Sequence, residues 1–137
     1  MPSDRQREAA RMLQISHRDL KAARSMLKAD LFDEVTWGFQ VQQATEKALK
    51  AWISVLEHEY PRTHDLALLF RLVMDLGGDP SPYQTLENFT AFGARLRYED
   101  VEEPLNLDRD AWNQLCADLL AHLASLIQLT RPKPAPN

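Results

Sequence analysis

Hydrophobic positions recur every three or four residues along most of the chain, and this spacing predicts a protein built from helices. The expected helices run from Ser3 to Asp30, Asp33 to about Glu59, Thr63 to Gly77, Pro82 to about Ala94, and from Asp108 onwards. No run of β-branched residues alternates with polar ones, so no strand is expected. The sequence predicts an all-α fold: a single-domain, up-and-down helical bundle of about five helices with a long N-terminal helical hairpin. It spans residues 1–130, and the proline-rich tail 131–137 is expected to be extended or disordered.

The second helix has two apolar stripes where an ordinary surface helix has one. One stripe holds Val35, Phe39, Leu49, Ile53 and Leu56; the other holds Trp37, Val41, Ala44, Ala48, Trp52 and Val55. Two apolar faces predict a helix covered on both sides, by its own bundle on one side and by something else on the other.

Polar residues nevertheless run through the middle of this helix, namely Gln42, Gln43, Glu46, Lys47 and Lys50. They fit a solvated face with a Glu46–Lys50 ion pair, a self-complementary dimer interface, or a ligand groove. The interface is favoured, because glutamine amides can bond to each other across a two-fold axis. Its candidate residues are Trp37, Val41, Gln42, Gln43, Glu46 and Lys47.

The segment from Gln42 to Ala51, the aromatic entry at Trp37 and Phe39, and the later Thr63-His64-Asp65-Leu66 together resemble the HEPN domain family. The resemblance extends from about Arg11 to about Ile127. It implies a helical bundle that dimerises through its long helices. It further implies a partner, a minimal nucleotidyltransferase, in a toxin–antitoxin-like pair.

Many HEPN proteins are metal-independent ribonucleases with an arginine, four to six residues and then a histidine, late in the domain. Here the late arginines Arg95 and Arg97 are followed by an acidic segment, with no histidine at the spacing of the motif. The one match, Arg11 with His17, lies in the first helix, and roughly one such match is expected by chance. The sequence therefore resembles the non-catalytic branch, and no catalytic residue is assigned.

Three functions follow from the sequence. The leading one is a dimerising interaction module. The second is a divergent ribonuclease that uses Arg97 or Arg11 with His17 or His64. The third is a nucleotide-binding accessory domain, since an arginine and a tyrosine can hold a phosphate and stack on a base. The nucleotide or RNA candidates are Arg95, Arg97, Tyr98 and Lys50.

The pair His64 and Asp65 is interpreted as part of a helix start, because adjacent helical residues point apart. Cys116, the single cysteine, is expected to be a buried thiol, so neither a disulfide framework nor a zinc cluster is expected. No metal, cofactor or membrane span is expected, and the location is expected to be cytoplasmic.

The formal net charge of −4 argues against a protein that coats DNA. The first helix is nevertheless basic, and could attract an acidic partner or RNA.

Overall fold

The computed structural model describes residues 2–93 and 104–130, and within them the chain is helical with no strand. Four α-helices and one 3-10 segment pack together. They are α1 (Asp4–Arg24), α2 (Glu34–Val55), α3 (Leu66–Asp75), the 3-10 segment (Ser81–Gly93) and α4 (Arg109–Thr130). The predicted all-α bundle with a long N-terminal hairpin is confirmed.

The start of α1 agrees with the sequence. Ser3 is the N-cap, its hydroxyl accepts from the Gln6 amide, and the Gln6 side chain in turn accepts from the Ser3 amide. This reciprocal pair satisfies two backbone donors that the first turn otherwise leaves free. The helix ends at Arg24, earlier than the predicted Asp30.

The ends of α2 and the start of α3 differ in detail from the prediction. α2 stops at Val55, before the predicted Glu59, because Glu57 turns into the left-handed region at φ 62°. The N-cap of α3 is Asp65 instead of Thr63, with the Asp65 carboxylate accepting from the amides of Ala67 and Leu68. Gly77, at φ +99°, follows the end of α3 as predicted.

The fourth element is a 3-10 helix where an α-helix was predicted. Its buried residues are Leu86, Phe89 and Phe92, as expected. They lie three residues apart, which matches the three residues per turn of a 3-10 helix, so one face of the segment is apolar. Phe92 packs against Gly38 of α2, where an added Cβ would lie 2.3 Å from the ring.

α2 is the central element and contacts α1, α3, the 3-10 segment and α4. Across its interface with α1, the Ser16 hydroxyl donates to the Ala44 carbonyl at 2.6 Å. Most residues of both apolar stripes of α2 are therefore buried in the chain itself or packed against its core, while Phe39 is partly exposed. In the described part of the chain, no helix has the length and apolar character needed to cross a bilayer.

Candidate functional site

A buried carboxylate lies at the centre of the polar residues on α2. Glu46 has no exposed side-chain surface, and each of its oxygens accepts two hydrogen bonds. Oε1 accepts from Gln42 Nε2 at 3.1 Å and pairs with His64 Nδ1 at 2.7 Å. Oε2 accepts from Lys47 Nζ at 2.9 Å and Lys50 Nζ at 3.1 Å. We call Glu46, Gln42, Lys47, Lys50 and His64 the Glu46 cluster.

The cations and hydrogen bonds of this cluster keep Glu46 ionised. Burial alone raises the pKa of a carboxyl group, because it disfavours the charged form. The hydrogen bonds from Lys47 and His64 and the charges of Lys47 and Lys50 outweigh burial, and they lower the pKa of Glu46 to about 2. The cluster is thus a buried charge whose partners are all in place.

His64 is the exposed member, with 72% of its side chain accessible. An ionised carboxylate can only accept hydrogen bonds, so the Nδ1 of His64 carries a hydrogen and donates a hydrogen bond to Glu46 Oε1. In the neutral ring, Nε2 then has the free lone pair. In the sequence, His64 is adjacent to Asp65 and is interpreted only as part of a helix start. The structure pairs it with Glu46, which is eighteen positions away and cannot be recognised from local spacing.

Lys50, one of the nucleotide candidates, is engaged inside the protein. Its ammonium lies 5.5 Å from the centre of the Tyr60 ring, in addition to its bond with Glu46, and the residue is 8% exposed. The Tyr60 hydroxyl donates to Glu8, which also pairs with Arg11. The other three candidates, Arg95, Arg97 and Tyr98, lie outside the described residues.

The predicted interface residues occupy two different environments. Trp37, Val41, Gln42 and Glu46 are completely buried within the single chain, whereas Gln43 and Lys47 are partly exposed. The Trp37 indole donates to Asn113 of α4 at 2.9 Å. The premise that α2 needs a second copy to cover its other face is therefore corrected, because α4 and the 3-10 segment already cover it.

Cys116 is buried, as predicted, and its sulfur lies 3.8 Å from the Thr45 hydroxyl. Burial raises the pKa of this thiol to about 12, so it stays protonated and is a poor nucleophile. Among residues 2–93 and 104–130, no group of three or more His, Cys, Asp or Glu side chains is placed to hold a metal ion.

Arg11 and His17 both line a groove between α1 and α4 with a volume of about 540 Å³. Its other lining residues include Arg7, Leu13, Ala124 and Ile127. We call this surface the basic groove. Arg11 pairs with Glu8 at 2.7 Å, so its charge is partly neutralised within α1.

A second concave surface lies where the α1–α2 loop meets the residues before α4. It encloses about 440 Å³ and is lined by residues that include Asp33, Glu34, Val35, Leu107 and Arg109. The Glu34 carboxylate accepts from the amides of Leu105 and Leu107 at 2.7 and 2.9 Å.

Three leucines in these same two segments are exposed, namely Leu27 (43%), Leu31 (67%) and Leu105 (66%). We call this surface, with its pocket and leucines, the hairpin end. The sequence analysis did not identify it, because isolated leucines in loops have no periodic pattern.

Comparison with known proteins places this arrangement in a family. Searches of curated proteins and of solved structures found no significant match. A family model described as the HEPN domain matches residues 9–128, which is most of the chain. The matched region contains α2, the Glu46 cluster and nearly all of α4. The chain therefore belongs to the HEPN domain family.

Proposed function

We propose that this chain is an interaction module that forms a homodimer and pairs with a minimal nucleotidyltransferase in a toxin–antitoxin-like system. The HEPN family is linked to ribonuclease, nucleotide-related and toxin–antitoxin roles. The late arginine–histidine motif of its ribonucleases is missing from this sequence, which favours a role in binding.

The observation that carries the proposal is the exposed apolar surface at the hairpin end. Exposed apolar side chains near a concave surface are candidates for contact with another protein, because binding removes their apolar area from water. Leu31 and Leu105 are about two-thirds exposed, and they belong to the two segments whose other residues line the 440 Å³ pocket. We therefore propose the hairpin end as the dimer interface, in place of the middle of α2 that the sequence predicted.

The mixed charge of the hairpin end favours a second copy as its occupant. Lys28 and Asp30 are both exposed in the same loop as Leu31. In a two-fold interface the same patch faces itself, so a patch with both signs of charge can pair each cation with a carboxylate of the other copy.

Size-exclusion chromatography with light scattering tests the dimer. The wild-type chain should be a dimer, and the double variant Leu31→Glu/Leu105→Glu should be a monomer. Leu129→Glu is the matched control, because Leu129 is 80% exposed near the end of α4, away from this surface. A dimer that survives the double substitution would remove the hairpin end from the proposal.

Co-expression tests the partner. The nucleotidyltransferase is expected to be encoded by a neighbouring reading frame, and a tagged copy of it should retain the chain through purification. A neighbouring protein of another kind, or one that does not retain the chain, would contradict the pairing.

A ribonuclease is the second candidate, favoured by the 2.7 Å contact between Glu46 and His64. A carboxylate that holds one ring nitrogen leaves the other free to accept a proton, which is what removal of a 2′-hydroxyl proton requires. RNA incubated with the chain in a chelator should stay intact if the interaction module is correct. Cleavage that is lost in His64→Ala but kept in His17→Ala would favour the ribonuclease.

A further inference from the structure

The exposed face of α1 is basic although the chain as a whole is acidic. Between Asp4 and Arg24 there are six lysines and arginines against three carboxylates, a formal charge of +3, while the whole chain has −4. The exposed cations on this helix are Arg7, Arg11, Arg18, Lys21 and Arg24. Opposite charges are therefore segregated within the molecule, and α1 presents a positive surface to a partner.

The basic groove joins this positive surface to an apolar floor. Leu13 and Ile127 form part of the floor and are just under a tenth exposed, and Ala124 contributes a small side chain from α4. Arg7, Arg11 and His17 lie among its lining residues, and none of the lining residues is a carboxylate. An apolar floor with a cationic rim is complementary to a ligand that is apolar on one side and acidic beside it.

We propose that the basic groove binds an acidic amphipathic helix of a partner protein. The inference rests on the proposed interaction role and specifies the chemistry of the partner. Leucine-like side chains of such a helix would fill the floor, and its carboxylates would pair with the rim, in the helix-in-groove mode of recognition.

Two other occupants fit less well. A second copy related by a two-fold axis would bring α1 against α1, and a +3 surface against itself is repulsive. RNA bases stack best on aromatic rings, whereas the floor residues Leu13, Ala124 and Ile127 are aliphatic. In addition, Arg7 and Arg11 are the two arginines that line the groove, whereas a nucleic-acid backbone is usually held by a larger number of phosphate contacts.

A synthetic peptide is a direct probe of this groove. It should have leucines every three or four residues and glutamates between them, so that it forms an acidic amphipathic helix. Fluorescence anisotropy should show saturable binding to the full-length chain, weakening as salt is raised. A peptide of the same composition with the leucine spacing scrambled should bind at least about tenfold more weakly, because it cannot align its apolar side chains with the floor.

Ala124→Glu tests the location, because it puts a carboxylate into the groove from an exposed helical position that tolerates glutamate. Affinity for the peptide should fall about tenfold or more. Ala121→Glu is the matched control: the residue is also exposed on α4 but does not line the groove, and affinity should stay within about twofold.

Each remaining outcome has a defined meaning. The proposal is wrong if the peptide does not bind, if the scrambled peptide binds equally well, or if both variants lose the same amount of peptide affinity. It is also wrong if single-stranded RNA binds more tightly than the peptide and Ala124→Glu abolishes that RNA binding. If Ala124→Glu converts a wild-type dimer to a monomer, a second copy occupies the groove and the proposal is wrong. The hairpin-end variants decide the dimer separately, so failure of one proposal does not imply failure of the other.

Discussion

The middle of α2 and the hairpin end reverse the usual relation between polarity and exposure. The Glu46 cluster is polar and charged, yet Glu46 and Gln42 are fully buried. The hairpin end has leucines, yet Leu31 and Leu105 are largely exposed. Buried charges are retained when partners satisfy them, whereas exposed apolar side chains remain available for contact with another molecule. The comparison supports a structural role for the first region and a proposed binding role for the second.

Trp37→Ala should have the largest effect, because Trp37 is a fully buried indole that bonds to Asn113 and packs edge-on against Phe89. We expect the free energy of unfolding to fall by about 3–5 kcal/mol, measured by urea denaturation. Trp37→Phe keeps most of the packing and loses the indole donor, and should cost clearly less. If Trp37→Ala leaves the free energy of unfolding almost unchanged, the Trp37 side chain is not part of the core.

Glu46→Gln should come next, at about 2–4 kcal/mol near neutral pH. The substitution keeps the shape of the side chain but leaves Lys47 and Lys50 without the charge that compensates them. Asp118→Asn is a matched control, because Asp118 is exposed on α4 and bonds to Gln114, so its loss should cost under about 0.5 kcal/mol. Equal effects of the two substitutions would show that the cluster is not buried.

The pH dependence of the unfolding free energy tests the role of buried Glu46 further. The folded-state pKa of Glu46 is about 2, below the ordinary value of 4.5, so ionised Glu46 stabilises the fold above pH 4.5. This stability, ~3 kcal/mol at most, is lost as the pH falls from about 4.5 towards 2. The difference between wild type and Glu46→Gln, followed by urea denaturation, should therefore shrink over this range. A difference that stays constant on acidification would contradict the lowered pKa.

The smallest effect on stability is expected at the hairpin end. Leu31→Glu/Leu105→Glu replaces side chains that are already in water, so the thermal midpoint of the monomeric chain should change little, by the equivalent of about 0.5 kcal/mol per site. Oligomeric state should change instead, as proposed above. A large drop in the midpoint, measured by circular dichroism at low protein concentration, would mean that these leucines belong to the core.

Local signals in the sequence predicted much of the fold. The Ser3 cap, the glycine after α3 and the apolar faces of the helices depend on neighbouring residues, and the structure confirms them. The two stripes of α2 correctly predicted a helix covered on both sides. Periodicity reports how many faces are covered but not which chain covers them, so Trp37 and Val41 were assigned to an interface although they belong to the core.

The candidate site could be predicted from the sequence less well than the fold. The contact between Glu46 and His64 depends on how α3 folds back against α2, which no spacing rule encodes. The 3-10 segment was missed for a related reason: the three-residue spacing of Leu86, Phe89 and Phe92 also suits an α-helix, and packing decides between the two.

The most direct test of the account is the urea unfolding of wild type and Glu46→Gln at two well-separated protein concentrations. If the Glu46 cluster lies within one chain, the difference in unfolding free energy is the same at both concentrations, even if dimerisation shifts the two curves together. A difference that appears only at the higher concentration would place Glu46 in an interface and contradict the account.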